Sequence, residues 1–170
     1  MQYKWIGAVM ILVSCGGFGF SLAAAQLREE KSLRSLVLAL DYMECELQYR
    51  LTPLPELCRQ TASESSGDIR SVFSSFSDEL DAQISPDVAR CMDAALSRNP
   101  NLPRLTRDSF STLGQTLGRF DLPGQLKGLE TVRAQCRRNL ETLTANKESR
   151  LRSYQTLGLC AGAALAILFL

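Results

Sequence analysis

SLRSLVLALDYMECELQYRLTPLPEL, Ser32 to Leu57, reads as an amphipathic helix stopped by a double-proline turn, with a second helix starting immediately after it. Leu33, Leu36, Val37, Leu40, Met43 and Leu47 recur at three- and four-residue steps, the period that lines one helix face. Arg34, Asp41 and Glu44 are expected to face away from that stripe. Thr52 can cap, and Pro53 can occupy the first turn of a short helix carrying Leu54, Leu57 and Cys58.

The same period continues down the chain. Ser65-Ser66-Gly67 is a break, and Asp68 opens a third helix whose Ile69, Val72, Phe73, Phe76 and Leu80 share a face. Ser85-Pro86 marks a fourth start, with Val88, Cys91, Met92, Ala95 and Leu96 on its buried side. Asn99 to Pro103 is rich in breakers and reads as loop. A fifth helix is expected after Thr106, carrying Phe110, Leu113 and Leu117 and ending near Gly118. A sixth runs from about Asp121 through Leu126, Leu129, Val132, Cys136, Leu140, Leu143 and Leu151. No run alternates like a strand, so the expected fold is all-α: a bundle of about six helices in which the first and last pack antiparallel and the shorter ones cluster at the far end.

Outward from this core the chain loses its charges. Lys4 is the only formal charge outside residues 26–152, so that section holds 18 of the 19 basic residues and all 18 acidic ones. A formally neutral domain has no general attraction for nucleic acid. Trp5 to Ala25 is apolar and about long enough to cross a hydrocarbon core of roughly 30 Å as a helix, and Ser153 to Leu170 is at the short limit. The expected organisation is a transmembrane helix in 1–25, a helical domain in 26–152 and a second transmembrane helix in 153–170. Arg28, Lys31 and Arg34 follow the first span, and Arg137, Arg138, Lys147, Arg150 and Arg152 precede the second, against Lys4 alone on the opposite side. That excess places the domain in the cytoplasm. A rival reading takes the first segment as a secretory signal cut at Ala23-Ala24-Ala25, leaving an exported scaffold domain with a C-terminal anchor.

Chemistry-bearing patterns are mostly absent. The chain has no histidine, no phosphate-binding glycine loop and no nucleophile elbow. Cys45, Cys58, Cys91 and Cys136 match no zinc spacing and read as buried thiols, while Glu44 with Glu46 and Asp78 with Glu79 read as solvated helix faces. Neither an enzyme nor a cofactor is expected.

Two motifs stand out. LQYRLTPLPEL, Leu47 to Leu57, joins two amphipathic helices through a kinked double-proline turn. LGQTLGRFDLPGQLKGLE, Leu113 to Glu130, sets Gly114 and Gly118, then Gly124 and Gly128, four residues apart, a spacing that lets another backbone approach. Thr52, Pro53 and Pro55 in the first motif and Arg119 and Asp121 in the second are the candidate partner contacts. In the apolar ends, Gly158-x-x-x-Gly162-x-x-x-Ala166 and Cys15-x-x-x-Gly19-x-x-x-Ala23 could join the spans to each other or to another subunit, and self-association stays open.

These segments, in this order and with apolar ends, resemble the stage III sporulation protein AB family of endospore-forming bacteria over essentially the full chain. The resemblance implies a component of the mother-cell complex around the engulfed forespore, a machine related to secretion systems. It also implies that the domain is similar to the inner-membrane platform protein of type II secretion and type IV pilus systems. In that role the domain contacts a cytoplasmic hexameric ATPase, and the spans contact other membrane subunits.

Overall fold

The computed structural model describes the backbone of residues 2–50, 52–82, 87–118 and 121–169, and the side chains of 24–50, 52–82, 87–118 and 121–145. Among the described residues there are six helices and no strand: α1 Gln2–Arg50, α2 Leu54–Glu64, α3 Gly67–Asp81, α4 Val88–Arg98, α5 Arg104–Thr116 and α6 Leu122–Phe169. The expected spans, with Gly158 and Gly162, lie outside the residues whose side chains are described. Among the described residues no helix is long and apolar enough to cross a membrane. The helices α1 and α6 run unbroken across the expected domain edges at 25/26 and 152/153.

Each helix packs on the next, and α6 closes the ring against α1. Successive helices alternate in direction, as their cross-contacts show. Arg59 in the middle of α2 pairs with Asp81 at the end of α3 while Arg70 early in α3 reaches the end of α2, and Gly114 of α5 abuts Met92 and Ala89 of α4. In α6, Gly128 abuts Thr116, whereas Cys136 reaches back to Ser109. Arg28 pairs with Asp68 in the first turn of α3 at 2.9 Å, and Glu29 Oε1 accepts from the Leu105 amide in the first turn of α5 at 2.6 Å. Both short helices therefore start level with residues 28–29 of α1.

The short helices thus gather at the far end of the long ones, alongside the last half of α1. From Arg28 to Arg50, α1 rises about 33 Å, and α2–α5, at roughly 16–22 Å each, lie alongside it. The reason is burial. Leu33, Leu36, Leu40 and Met43 of α1 share one core with Phe73 and Phe76 of α3, Phe110 of α5, and Val132 and Cys136 of α6. Each such side chain contributes about 1.5–3 kcal/mol on leaving water, so the long helices need the short ones to cover their stripes.

The turns at the 28–29 end are closed by two arginines. The Arg70 guanidinium donates to Ala62 O, Ser63 O and Ser65 O at 2.9–3.2 Å, and Arg107 donates to Leu96 O at 3.2 Å and Asn99 O at 2.7 Å. Each adds a donor to carbonyls at the end of the preceding helix, where Ala62 O and Leu96 O also accept from the cap amides of Ser65 and Asn99. The 99–103 loop is real, but it is pinned, with Leu102 buried beneath it. The start of α5 falls at Arg104, two residues before Thr106, which is fully buried within the first turn instead of preceding it.

Candidate functional site

The opposite end of the bundle gathers the two sequence motifs. A Cβ on Gly118 would lie 2.5 Å from Val88 Cγ2 and 3.7 Å from Leu54 Cδ2, so the α5–α6 turn sits against the starts of α4 and α2. Gly118 takes φ +73°, a left-handed turn that glycine adopts without Cβ strain. Gly114 lies inside α5, and a Cβ there would meet Met92 Cβ at 2.5 Å. Gly128, inside α6, would meet Thr116 Cβ at 2.7 Å. The glycines thus serve two approaches, Gly114 and Gly118 to α4 and Gly128 to α5. Gly124 donates its amide to Asp121 Oδ1 at 3.3 Å.

The partner-contact candidates divide accordingly. Thr52 and Pro55 are half-buried and Pro53 is exposed at this end. Thr52 does not cap α2: Pro53 holds the cap position, its carbonyl accepting from the Leu57 amide at 2.9 Å, with Pro55 just inside the helix. Asp121 is exposed but occupied in opening α6, its side chain accepting from Gly124 and its carbonyl from the Gln125 amide at 2.9 Å. Arg119 lies outside the described residues. Asp87 likewise opens α4, accepting from the Ala89 amide at 3.1 Å. Ser85-Pro86, read as that start, lies outside the described residues.

Several charges expected in solvent are instead paired, across helices at Asp41, Glu44 and Glu79 and within α1 at Glu46. Arg133 of α6 donates to Asp41 at 2.8 Å and also to Glu44, with Arg133 only 23% exposed. Asp41 and Glu44 thus face α6, because a long guanidinium one helix away can reach both. The Asp41 hydrogen bond, with Glu44 beside it, pushes the Arg133 pKa up against the opposing effect of burial. Glu79 is buried and pairs with Arg98. Glu46, its side chain only 12% exposed, lies 3.7 Å from Arg50. Arg133→Ala leaves two neighbouring carboxylates without their shared cation, and is expected to cost roughly 1–2 kcal/mol, read as a lower denaturation midpoint. Arg133→Lys should recover much of the loss, since a single nitrogen of the guanidinium reaches both carboxylates and one ammonium can stand in its place. A midpoint unchanged by Arg133→Ala would rule the clasp out as a stabiliser.

Cys58, Cys91 and Cys136 are buried, as read from their helical faces, but Cys45 is exposed. Burial pushes the thiols of Cys58, Cys91 and Cys136 upward, the Ser109 hydroxyl partly opposing this at Cys136. No group of three or more His, Cys, Asp or Glu gathers to hold a metal among the described residues.

The class this geometry defines is an antiparallel all-α head closed by two long helices that leave it at the same end. Within that class the chain belongs to the stage III sporulation protein AB family, whose family model matches residues 4–170. It is 29% identical to stage III sporulation protein AB of Bacillus subtilis (strain 168) over 173 residues, covering 98% of this chain and 99% of that protein. A solved structure of stage III sporulation protein AB has the same fold, with a TM-score of 0.64 at 22% identity, over 72% of this chain and 98% of its own. Family membership associates the chain with sporulation.

Proposed function

We propose that the chain is a non-enzymatic membrane platform of a sporulation-specific, secretion-like complex. Its helical head faces the mother-cell cytoplasm and docks a hexameric ATPase, and its apolar ends contact other membrane subunits. The observation that carries this reading is the shared exit of α1 and α6 at one end of the head, each continuing into an uncharged apolar segment. Two such segments leaving side by side suit a common membrane, with the two motifs held at the far end for a partner. The resemblance to type II secretion platform proteins adds the kind of partner.

Binding of the purified cognate ATPase to the full-length protein in detergent tests the reading. Association at micromolar concentrations is expected, and its absence with a folded protein counts against the ATPase role. Orientation is read from Cys45, the exposed thiol of the head. An impermeant maleimide should leave it unlabelled in intact cells and label it once the membrane is breached, with Cys45→Ser as the blank. Labelling in intact cells would instead favour the exported scaffold with a cleaved leader.

A further inference from the structure

The three exposed large hydrophobics among the described residues are Leu27, Leu38 and Tyr49, 56%, 70% and 78% exposed. All three are on α1 and eleven residues apart. Eleven residues make three helical turns plus about 20°, so the three side chains stand in one line along one face. Beside Leu38 that face opens into a groove of about 120 Å³ between α1 and the end of α2, lined by Ser35, Ala39, Tyr42, Thr61 and Glu64. Glu64 supplies the groove's carboxylate, and the Tyr42 phenol beside it has its pKa pushed up, first by burial and then by Glu46 and Glu64.

A second face of the same molecule has the matching pattern. Lys127 and Arg138, also eleven apart, are exposed on α6 with the exposed Thr131 between them. Neither cation makes an ion pair among the described residues, and neither does Glu64. The Arg133 clasp to Asp41 and Glu44 sets the relative height of the two antiparallel helices. Counting equal rises from it, Arg138 is level with about residues 36–39 of α1, and Lys127 with about residues 47–50. The cations therefore stand at the heights of Leu38 and Tyr49. Arg50, near the upper height, is already paired with Glu46.

We propose that copies of this chain associate side by side, the Lys127–Arg138 face of α6 on one copy seating against the Leu38–Tyr49 face of α1 on the next. Arg138 enters the groove toward Glu64, its stem along Leu38, and Lys127 lies over the Tyr49 ring. The contact is heterologous, and a shared membrane keeps every copy at one height, so the association extends in the membrane plane, where a rotation that divides a full turn makes a ring. The inference rests on the anchored reading above, because a shared membrane is what holds the copies upright.

Full-length protein extracted in detergent is sized by light scattering, as wild type, Glu64→Arg, Arg138→Glu and the double reversal. The altered side chains are exposed, and a thermal melt checks each fold. Wild type is expected to be oligomeric, each single reversal to weaken association about tenfold or more, and the double reversal to restore it. A monomeric wild type, singles without effect, or a double no better than the singles would overturn the proposal. So would efficient cross-linking of Leu38→Cys to itself, which would indicate a two-fold contact. Alkaline extraction of the same membranes separates the two failures. A chain that stays in the membrane but is monomeric refutes only the association, whereas a chain released from the membrane refutes the anchored reading and the association with it.

Discussion

Phe110→Ala is expected to lower the stability of the head by about 3–5 kcal/mol, a large part of the 5–15 kcal/mol typical of a folded domain. Phe110 is fully buried and meets Phe73 edge-to-face, ring centroids 5.2 Å apart at 67°. The truncation loses the transfer of a phenyl ring from water and leaves a cavity where α3, α5 and the long helices converge. It also removes an aromatic pair that adds about 0.5–1.5 kcal/mol beyond area burial. Denaturant melts of the full-length protein in detergent measure the loss, with exposed Asp93→Ala expected to stay within about 0.5 kcal/mol of wild type. Equal midpoints for the two variants would mean that the core is not organised around this pair.

Gly114→Leu should destabilise by about 2–3 kcal/mol through overpacking. A Cβ at this position already falls 2.5 Å from Met92 Cβ, which the α4 backbone fixes, and 2.8 Å from its Cγ, so α4 and α5 must separate. Leucine's better helix propensity, worth up to about 1 kcal/mol over glycine, is too small to offset that. Gly67→Ala provides the contrast. Gly67 has φ +60°, yet nothing lies within 4 Å of where an alanine methyl would stand, so only backbone strain of about 1–2 kcal/mol is at stake. Thermal melts of both variants distinguish the causes, and a Gly114→Leu protein as stable as wild type would exclude close α4–α5 approach.

What the sequence discloses here is what local chemistry controls. The apolar periods of Leu33 to Leu47, Ile69 to Phe76 and Phe110 to Leu117 became core faces. Pro53, Gly67 and Gly118 stand where helices stop or start. What stayed hidden depends on residues far apart in the chain. Asp41 and Arg133 are separated by 92 positions, and nothing next to Asp41 distinguishes a carboxylate facing water from one facing a guanidinium on another helix. Glu29 is equally opaque: its role at the start of α5 exists only because α1 and α5 lie parallel. Thr106 looked like a start signal because threonine suits that position, yet Pro103 precedes the helix and Thr106 is buried inside it. At the candidate site the motifs were visible and their meeting was not. Gly118 beside Leu54 and Val88 joins three turns that a linear reading treats separately.

The unbroken course of α1 through the head gives the molecule the mechanics of a lever. Between Ala25 and Arg50 the helix has neither proline nor glycine, and its inner face is clamped by the core for most of that length. Over an arm of about 38 Å, a sideways push of about 3 Å at the far turn becomes a tilt of about 5° at the other end, with no hinge to absorb it. Because α6 is gripped beside it through Arg133, the two arms tilt as a pair. Force applied to the far turn would thus leave the head as angle, converting a small stroke into a change of slope at the roots.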